Sequence, residues 1–333
     1  MNTTSIRIIP RTLAVAALIA WALTSSRADF IFDAEVPLSS DVEKAIDRAQ
    51  NWLAKTQQPN GSWGTCNGVN AMSLIALMVN GGTPGHTKHG REISKAIEFI
   101  IANQKDNGYL IVGSKGSMYQ HGLSTIALAE AYGMTQNPAI RECLTKAVQL
   151  TLKAQNARGG WRYNPVPLDD DLSVTVIQVM SLRAVAETGI YVPQDAIDFG
   201  IRYVKSHRSD KTMGFGYGGP NDVNWRMTAA GVVSLQSYGL SDDPSIPPAI
   251  EYLTKNIDFS ARGNDRMCWY GHYYSSVALY HYGGDAWKTY YTKICQHILA
   301  DWTQPGCYGD PLTTSWAILV MGTPYRYLPI YQR

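Results

Sequence analysis

Little of the 333-residue sequence is charged: 17% of it, 29 basic residues against 27 acidic. So even a balance excludes a nucleic-acid binder that works through a basic surface. Long apolar runs are missing too. Beyond Leu13–Leu23 no stretch reaches eighteen uninterrupted apolar residues, so no transmembrane span is expected there. Disorder is excluded in turn by the 45% of hydrophobic residues. Phe is scarce, 6 residues beside 20 Tyr and 9 Trp. A core made only for packing would favour Phe, whereas Tyr and Trp suit apolar surfaces that carry a polar handle.

Residues 1 to 28 read as an export signal. Arg7 and Arg11 precede the apolar Leu13–Leu23, and Ser26-Arg27-Ala28 supplies small residues at a cleavage site. An uncleaved anchor is the alternative, and residues 29 to 40 read as a leader. Removing the signal leaves 26 basic and 27 acidic residues, a net charge of −1. Export to the periplasm or the extracellular space permits disulfides among Cys66, Cys143, Cys268, Cys295 and Cys307. Five is odd, so one stays unpaired within the chain.

The mature chain repeats itself. Gln57-x-x-x-Gly61-x-Trp63 recurs as Gln104-x-x-x-Gly108-x-Leu110 and as Gln155-x-x-x-Gly159-x-Trp161. Weaker copies stand at Gly214–Tyr217, Cys268–Tyr270 and Gln304–Tyr308. Each is preceded by an amphipathic stretch, such as the stripe Ile140, Leu144, Val148, Leu152, and followed by one of small and apolar residues. The unit is an outer amphipathic helix, a glycine–aromatic turn and a buried inner helix. Six such hairpins over residues 41–323 predict an all-α protein, an (α/α)6 toroid, with an open solenoid as the alternative. Residues 324–333 read as an extended tail.

These copies resemble the QW repeats of squalene–hopene cyclases and of protein prenyltransferase β subunits, over roughly residues 40 to 323. Chemically, the Gln and Trp staple helices together and carry no reaction. Squalene cyclases have an Asp-x-Asp-Asp motif at an inner helix, and here stands Leu168-Asp169-Asp170-Asp171. The resemblance puts Asp170 at the proton donor and Asp171 beside it. Leu168 replaces the first acid, and Asp169 falls on the free position. The chain also has the length of one barrel only. Of the zinc ligands of prenyltransferases, Asp265, Cys268 and His272 give Asp-x-x-Cys where the family has Asp-x-Cys, and the last inner helix lacks the family's His. Neither metal nor other cofactor is expected. A Gly-Cys-Gly-Glu-Gln thioester motif and the Cys-His pair of zinc lanthionine cyclases are absent as well.

Aligning the repeats on the last Leu of each inner helix gathers polar residues at the helix N-termini. Eleven positions earlier stand Cys66, Ser117, Asp171, Asn224, Cys268 and Tyr308; nine earlier Gly68, Tyr119, Ser173, Arg226, Tyr270 and Asp310; seven earlier Asn70, His121, Thr175, Thr228, His272 and Leu312. In a toroid these ends share one rim. Helix capping accounts for individual residues there, and a ligand site accounts for the cluster. The site residues expected are Asp169, Asp170 and Asp171 for catalysis. Tyr119, His121, Trp225, Arg226, Trp269, Tyr270, His272, Tyr273, Tyr308 and Asp310 are expected for binding. A Cys66–Cys307 disulfide is the candidate for closing the ring.

The leading expectation is an exported toroid that binds an isoprenoid or another extended apolar ligand in its centre, with acid-initiated cyclisation by Asp170 if it is an enzyme. A non-catalytic lipid- or peptide-binding protein, or scaffold, is the alternative. A carbohydrate-active (α/α)6 enzyme, suited by export, aromatic platforms and rim carboxylates, is the lesser one. The partner is an apolar small molecule or a protein, and nucleic acid is not expected.

Overall fold

A computed structural model describes residues 38–333 apart from 86, 114–116, 261–264, 302–305, 326–327 and 329–333. The signal at 1–28, most of the leader, most of the tail, and Gln304-Pro305 of the sixth turn lie outside the described residues. Among those described there is no β-strand, and twelve α-helices alternate between two rings. The outer helices are α1 (Ser40–Thr56), α3 (Gly90–Ala102), α5 (Pro138–Ala154), α7 (Gln194–Ser206), α9 (Ile246–Asn256) and α11 (Gly284–Ala300). The inner helices are α2 (Asn67–Met78), α4 (Met118–Thr135), α6 (Leu172–Glu187), α8 (Trp225–Ser237), α10 (Arg266–Tyr282) and α12 (Pro311–Gly322).

The sequence pattern explains which ring each helix joins. In α5, Ile140, Leu144 and Val148 are buried while Arg141, Glu142 and Thr145 face water. In α2 every residue but Val69 is buried, because both faces meet protein. Each inner helix packs on the inner helix before and after it, and α12 packs on α2, so the ring closes. The seam is polar as well as apolar: Ser73 and Ser315 hydroxyls lie 3.1 Å apart across it. The expected (α/α)6 toroid is therefore the fold. Closure does not use the expected disulfide, since Cys66 and Cys307 are not bonded to each other. Cys66 precedes α2 as its N-cap, whereas Cys307 is buried in the turn before α12, where its Sγ accepts from Thr314 at 3.9 Å.

The turns show what the repeated motif does. Gln57 Nε2 donates to Gly61 O at 3.0 Å and to Glu92 O of α3 at 2.8 Å. Gln104 does the same to Gly108 O and Cys143 O of α5, and Gln155 to Gly159 O and Ala196 O of α7. Each Gln thus ties its own turn to the next outer helix. The glycines have to be glycines: Gly159 has φ +91°, and a Cβ there would stand 2.4 Å from Phe199 O. Trp63 and Trp161 donate from Nε1 to carbonyls of their own outer helices, Leu53 O and Thr151 O, at 2.7 and 2.8 Å.

Candidate active site

The inner helices start together on one rim, and their first residues sort into three rows. The first row caps helices. Cys66, Ser117, Asp171 and Asn224 are N-caps as aligned, but the caps of α10 and α12 are Asp265 and Asp310. Asp310 therefore leaves the expected ligand set. It closes a capping box with Thr313 and pairs with Arg266 at 3.0 Å.

A second row pins the turns. Four residues after the cap, Asn70 Oδ1, His121 Nδ1, Thr175 Oγ1, Thr228 Oγ1 and Thr314 Oγ1 accept the backbone N–H of Trp63, Leu110, Trp161, Phe215 and Tyr308, at 2.7 to 3.2 Å. His121 is thus a buried structural residue. Its Nε2 meets Thr151 Oγ1 at 3.0 Å, and burial lowers its pKa to about 4. His272 is another: its Nε2 donates to Asp258 O at 3.1 Å, and burial again lowers the pKa to about 4. In the sixth repeat Thr314, not Leu312, fills this row. Tyr308 is fully buried and donates its hydroxyl to Ile298 O, the role that Trp63 and Trp161 play in their repeats. Trp269 packs on Tyr308 at 5.9 Å between ring centres, Trp225 on His272 at 5.3 Å, and Tyr273 on Tyr274 at 5.1 Å. These expected binding residues are core.

The acidic run divides. Asp169 is exposed, as is Leu168 before it. Asp170 accepts from Arg158 Nε and Nη2 at 2.8 and 2.5 Å, Asn156 Nδ2 at 2.5 Å, and the Tyr203 hydroxyl at 2.6 Å. Burial opposes its charge, but these donors outweigh burial and hold the carboxyl below its ordinary pKa. A carboxylate so held is a poor proton donor. Asp171 caps α6: its Oδ1 accepts from Val174 N at 2.9 Å and Ser173 Oγ at 2.7 Å. Its Oδ2 is buried with no hydrogen-bond partner and lies 3.9 Å from Arg162 Nε.

The third row holds Tyr119, Ser173 and Arg226, two residues after their caps, and Tyr270, five residues after Asp265. The Tyr119 and Tyr270 rings are 6.1 Å apart, and Arg226 lies over Trp225 at 5.4 Å. Tyr270 OH, Arg226 Nε and, one position on from Tyr119, Gln120 Oε1 are buried without hydrogen-bond partners, as is Asp171 Oδ2. Burial raises the Tyr119 and Tyr270 pKa values well above the ordinary phenol, and Asp171 adds to both. Two loop tyrosines that sequence reasoning missed complete the rim: the hydroxyls of Tyr163 and Tyr217 lie 2.9 Å apart. Each stands two residues after a turn aromatic, Trp161 or Phe215, an offset readable in the sequence. Among the described residues no group of His, Cys, Asp and Glu could hold a metal ion, and no helix is long and apolar enough to cross a membrane.

No protein-family model and no curated protein matches the sequence. Solved structures do. An inactive variant of an α-1,6-mannanase from Salegentibacter sp. HEL1_6, in complex with α-1,6-mannotriose, is similar at 9% identity and TM-score 0.64, over 86% of this chain and 99% of that one. Cellobiose 2-epimerase from Spirochaeta thermophila matches at 13% identity and TM-score 0.63, over 86% and 96%. A type II terpene cyclase from Scytonema matches at 12% identity and TM-score 0.61, over 86% and 98%. These likenesses show the toroid alone. They correct the expectation of an isoprenoid-binding protein, because the similar structures are mostly carbohydrate-active and a terpene cyclase is one member of a mixed set.

Proposed function

We propose that this is a carbohydrate-active protein that takes a saccharide at the rim, with Asp171 as the carboxylate that meets it. One observation carries the reading: Asp171 Oδ2 and Tyr270 OH, both buried without hydrogen-bond partners, lie within electrostatic reach of each other and of Tyr119. An unsatisfied buried polar atom costs about 1–3 kcal/mol. A hydrocarbon ligand would leave both unsatisfied. A sugar hydroxyl both donates and accepts, and the C–H face of a sugar ring packs on an aromatic ring. Asp170 is engaged by its four donors, so Asp171 is the acid of the run with an oxygen to offer. The saccharide-acting enzymes among the similar structures support the same reading. The glutamine staples shared in pattern with squalene cyclases fit a common frame rather than a common chemistry. Export by residues 1–28, with the repeats of 41–323 as the working unit, belongs to this proposal.

Titration calorimetry and product analysis with α-1,6-mannan, cello-oligosaccharides and α-glucans test it. Asp171→Asn is the informative variant, because Asn caps a helix as well as Asp does and only the charge is lost. A saccharide that binds the wild type, and binds Asp171→Asn at least about tenfold more weakly at an unchanged Tm, is expected. Binding of no saccharide, or equal binding by the variant, overturns the proposal.

A further inference from the structure

Asp171 is only 1% exposed, so a ligand has to be let in. We infer that Tyr163 and Tyr217 form the entrance to the rim site, two rings joined at their hydroxyls that a saccharide parts on its way to Asp171 and Tyr270. The inference rests on the saccharide reading above.

Tyr163 belongs to the loop between Trp161 and Asp171, and Tyr217 to the loop between Phe215 and Asn224. Tyr163 O accepts from Met118 N at 2.8 Å, at the head of α4, and Tyr217 O accepts from Leu172 N at 3.2 Å, at the head of α6. The hydroxyl bridge of 2.9 Å therefore spans two repeats above the inner ring. Tyr163 is 44% exposed and Tyr217 half-buried, whereas Asp171 and Tyr270 are buried. Both loop tyrosines lie within electrostatic reach of Tyr270, whose hydroxyl has no hydrogen-bond partner. Arg162 links the two levels, with its guanidinium 5.5 Å from the Tyr163 ring centre and its Nε 3.9 Å from Asp171 Oδ2. Tyr163 and Arg162 are open to solvent and Tyr217 is half-buried, whereas the polar atoms in want of partners, Asp171 Oδ2 and Tyr270 OH, are buried. A surface hydroxyl–hydroxyl bond is a weak closure, since one net hydrogen bond shifts an equilibrium only about two- to tenfold. Once parted, the rings present their faces to the entering sugar.

Tyr163→Phe and Tyr217→Phe remove the bridge and keep the rings. Hydrogen exchange of the Met118 and Leu172 amides, measured without ligand, reads the loops directly. Each single variant is expected to speed exchange of both amides about three- to tenfold, with nothing further in the double variant. Acceleration confined to the amide under the altered loop, or none, overturns the inference. Stopped-flow association of the saccharide identified above is expected to quicken by a similar factor in both variants. Unchanged association with faster dissociation would make the tyrosines ordinary contacts and overturn the entrance. If no saccharide binds the wild type, the functional reading fails, and the amide exchange alone decides the latch.

Discussion

The hydroxyls of Tyr119 and Tyr274 meet at 3.3 Å although their helices, α4 and α10, stand on opposite sides of the inner ring. Tyr270 and Tyr273 pack on Tyr274 at 4.8 and 5.1 Å between ring centres. At this level the toroid has a tyrosine core where a ligand was expected in the centre, and part of the aromatic surplus lies there. Buried rings of this size dominate a core. Tyr274→Ala is expected to lower the unfolding free energy by about 3–5 kcal/mol, as large-to-small changes at buried aromatics do. Tyr274→Phe, which loses only the hydroxyl contact, should cost about 1 kcal/mol. Equilibrium urea denaturation checks both, and a loss below about 1 kcal/mol for the alanine variant would mean that the centre is not packed as described.

The staples allow a comparison within one turn. Gln155→Ala removes two hydrogen bonds, to Gly159 O and Ala196 O, and should cost about 1–3 kcal/mol. Gly159→Ala should cost more, because it places a side chain at φ +91° and drives a Cβ to 2.4 Å from the Phe199 backbone. Thermal and urea unfolding of the two variants give the order, and the reverse order would remove the argument for close approach.

The toroid was legible because its signal is local: a Gln, a Gly four residues later and an apolar stripe before them recur whatever the tertiary setting. The starts of the inner helices were not. Their apolar runs begin near 71, 122 and 273, yet α2, α4 and α10 begin at Asn67, Met118 and Arg266. The first turns carry polar and aromatic rim residues that interrupt the apolar pattern. The same interruption misled the site. Asn70, His121 and Thr175 each lie four residues after a cap, and sequence cannot say whether such a side chain faces the ring centre or folds back onto its own turn. Tyr163 and Tyr217 were missed because alignment on inner-helix leucines passes over the loops.

Two of the buried histidines, His121 and His272, set an acid limb. His121 and His272 have folded pKa values of about 4, against about 6.5 in an unfolded chain. Between those values the unfolded chain binds more protons, so stability falls as pH drops from about 6.5 to 4 and the effect levels off below that. Each histidine contributes up to about 1.4 kcal/mol per pH unit in that window. Urea titrations at pH 7, 6, 5 and 4 should show this slope, and His121→Gln should flatten it by about one proton. A stability independent of pH across this range would contradict the burial of both imidazoles.

Asp170 acts in a lower window. Its folded pKa lies below the ordinary carboxylate value, since four hydrogen bonds from Tyr203, Asn156 and Arg158 outweigh the opposing effect of burial. The sign is that of a paired acid: its stabilisation is complete above the unfolded pKa of about 3.9 and is lost as pH falls through the folded value. Asp170→Asn should therefore be less stable than the wild type at pH 7, and the gap should narrow steadily below about pH 4. Were Asp170 a proton donor kept neutral at pH 7, the unfolded chain would ionise it above about pH 3.9, and the asparagine variant would gain relative stability as pH rose from about 4 to 7. Melting curves from pH 2 to 7 distinguish the two, and with them a structural carboxylate from a catalytic acid.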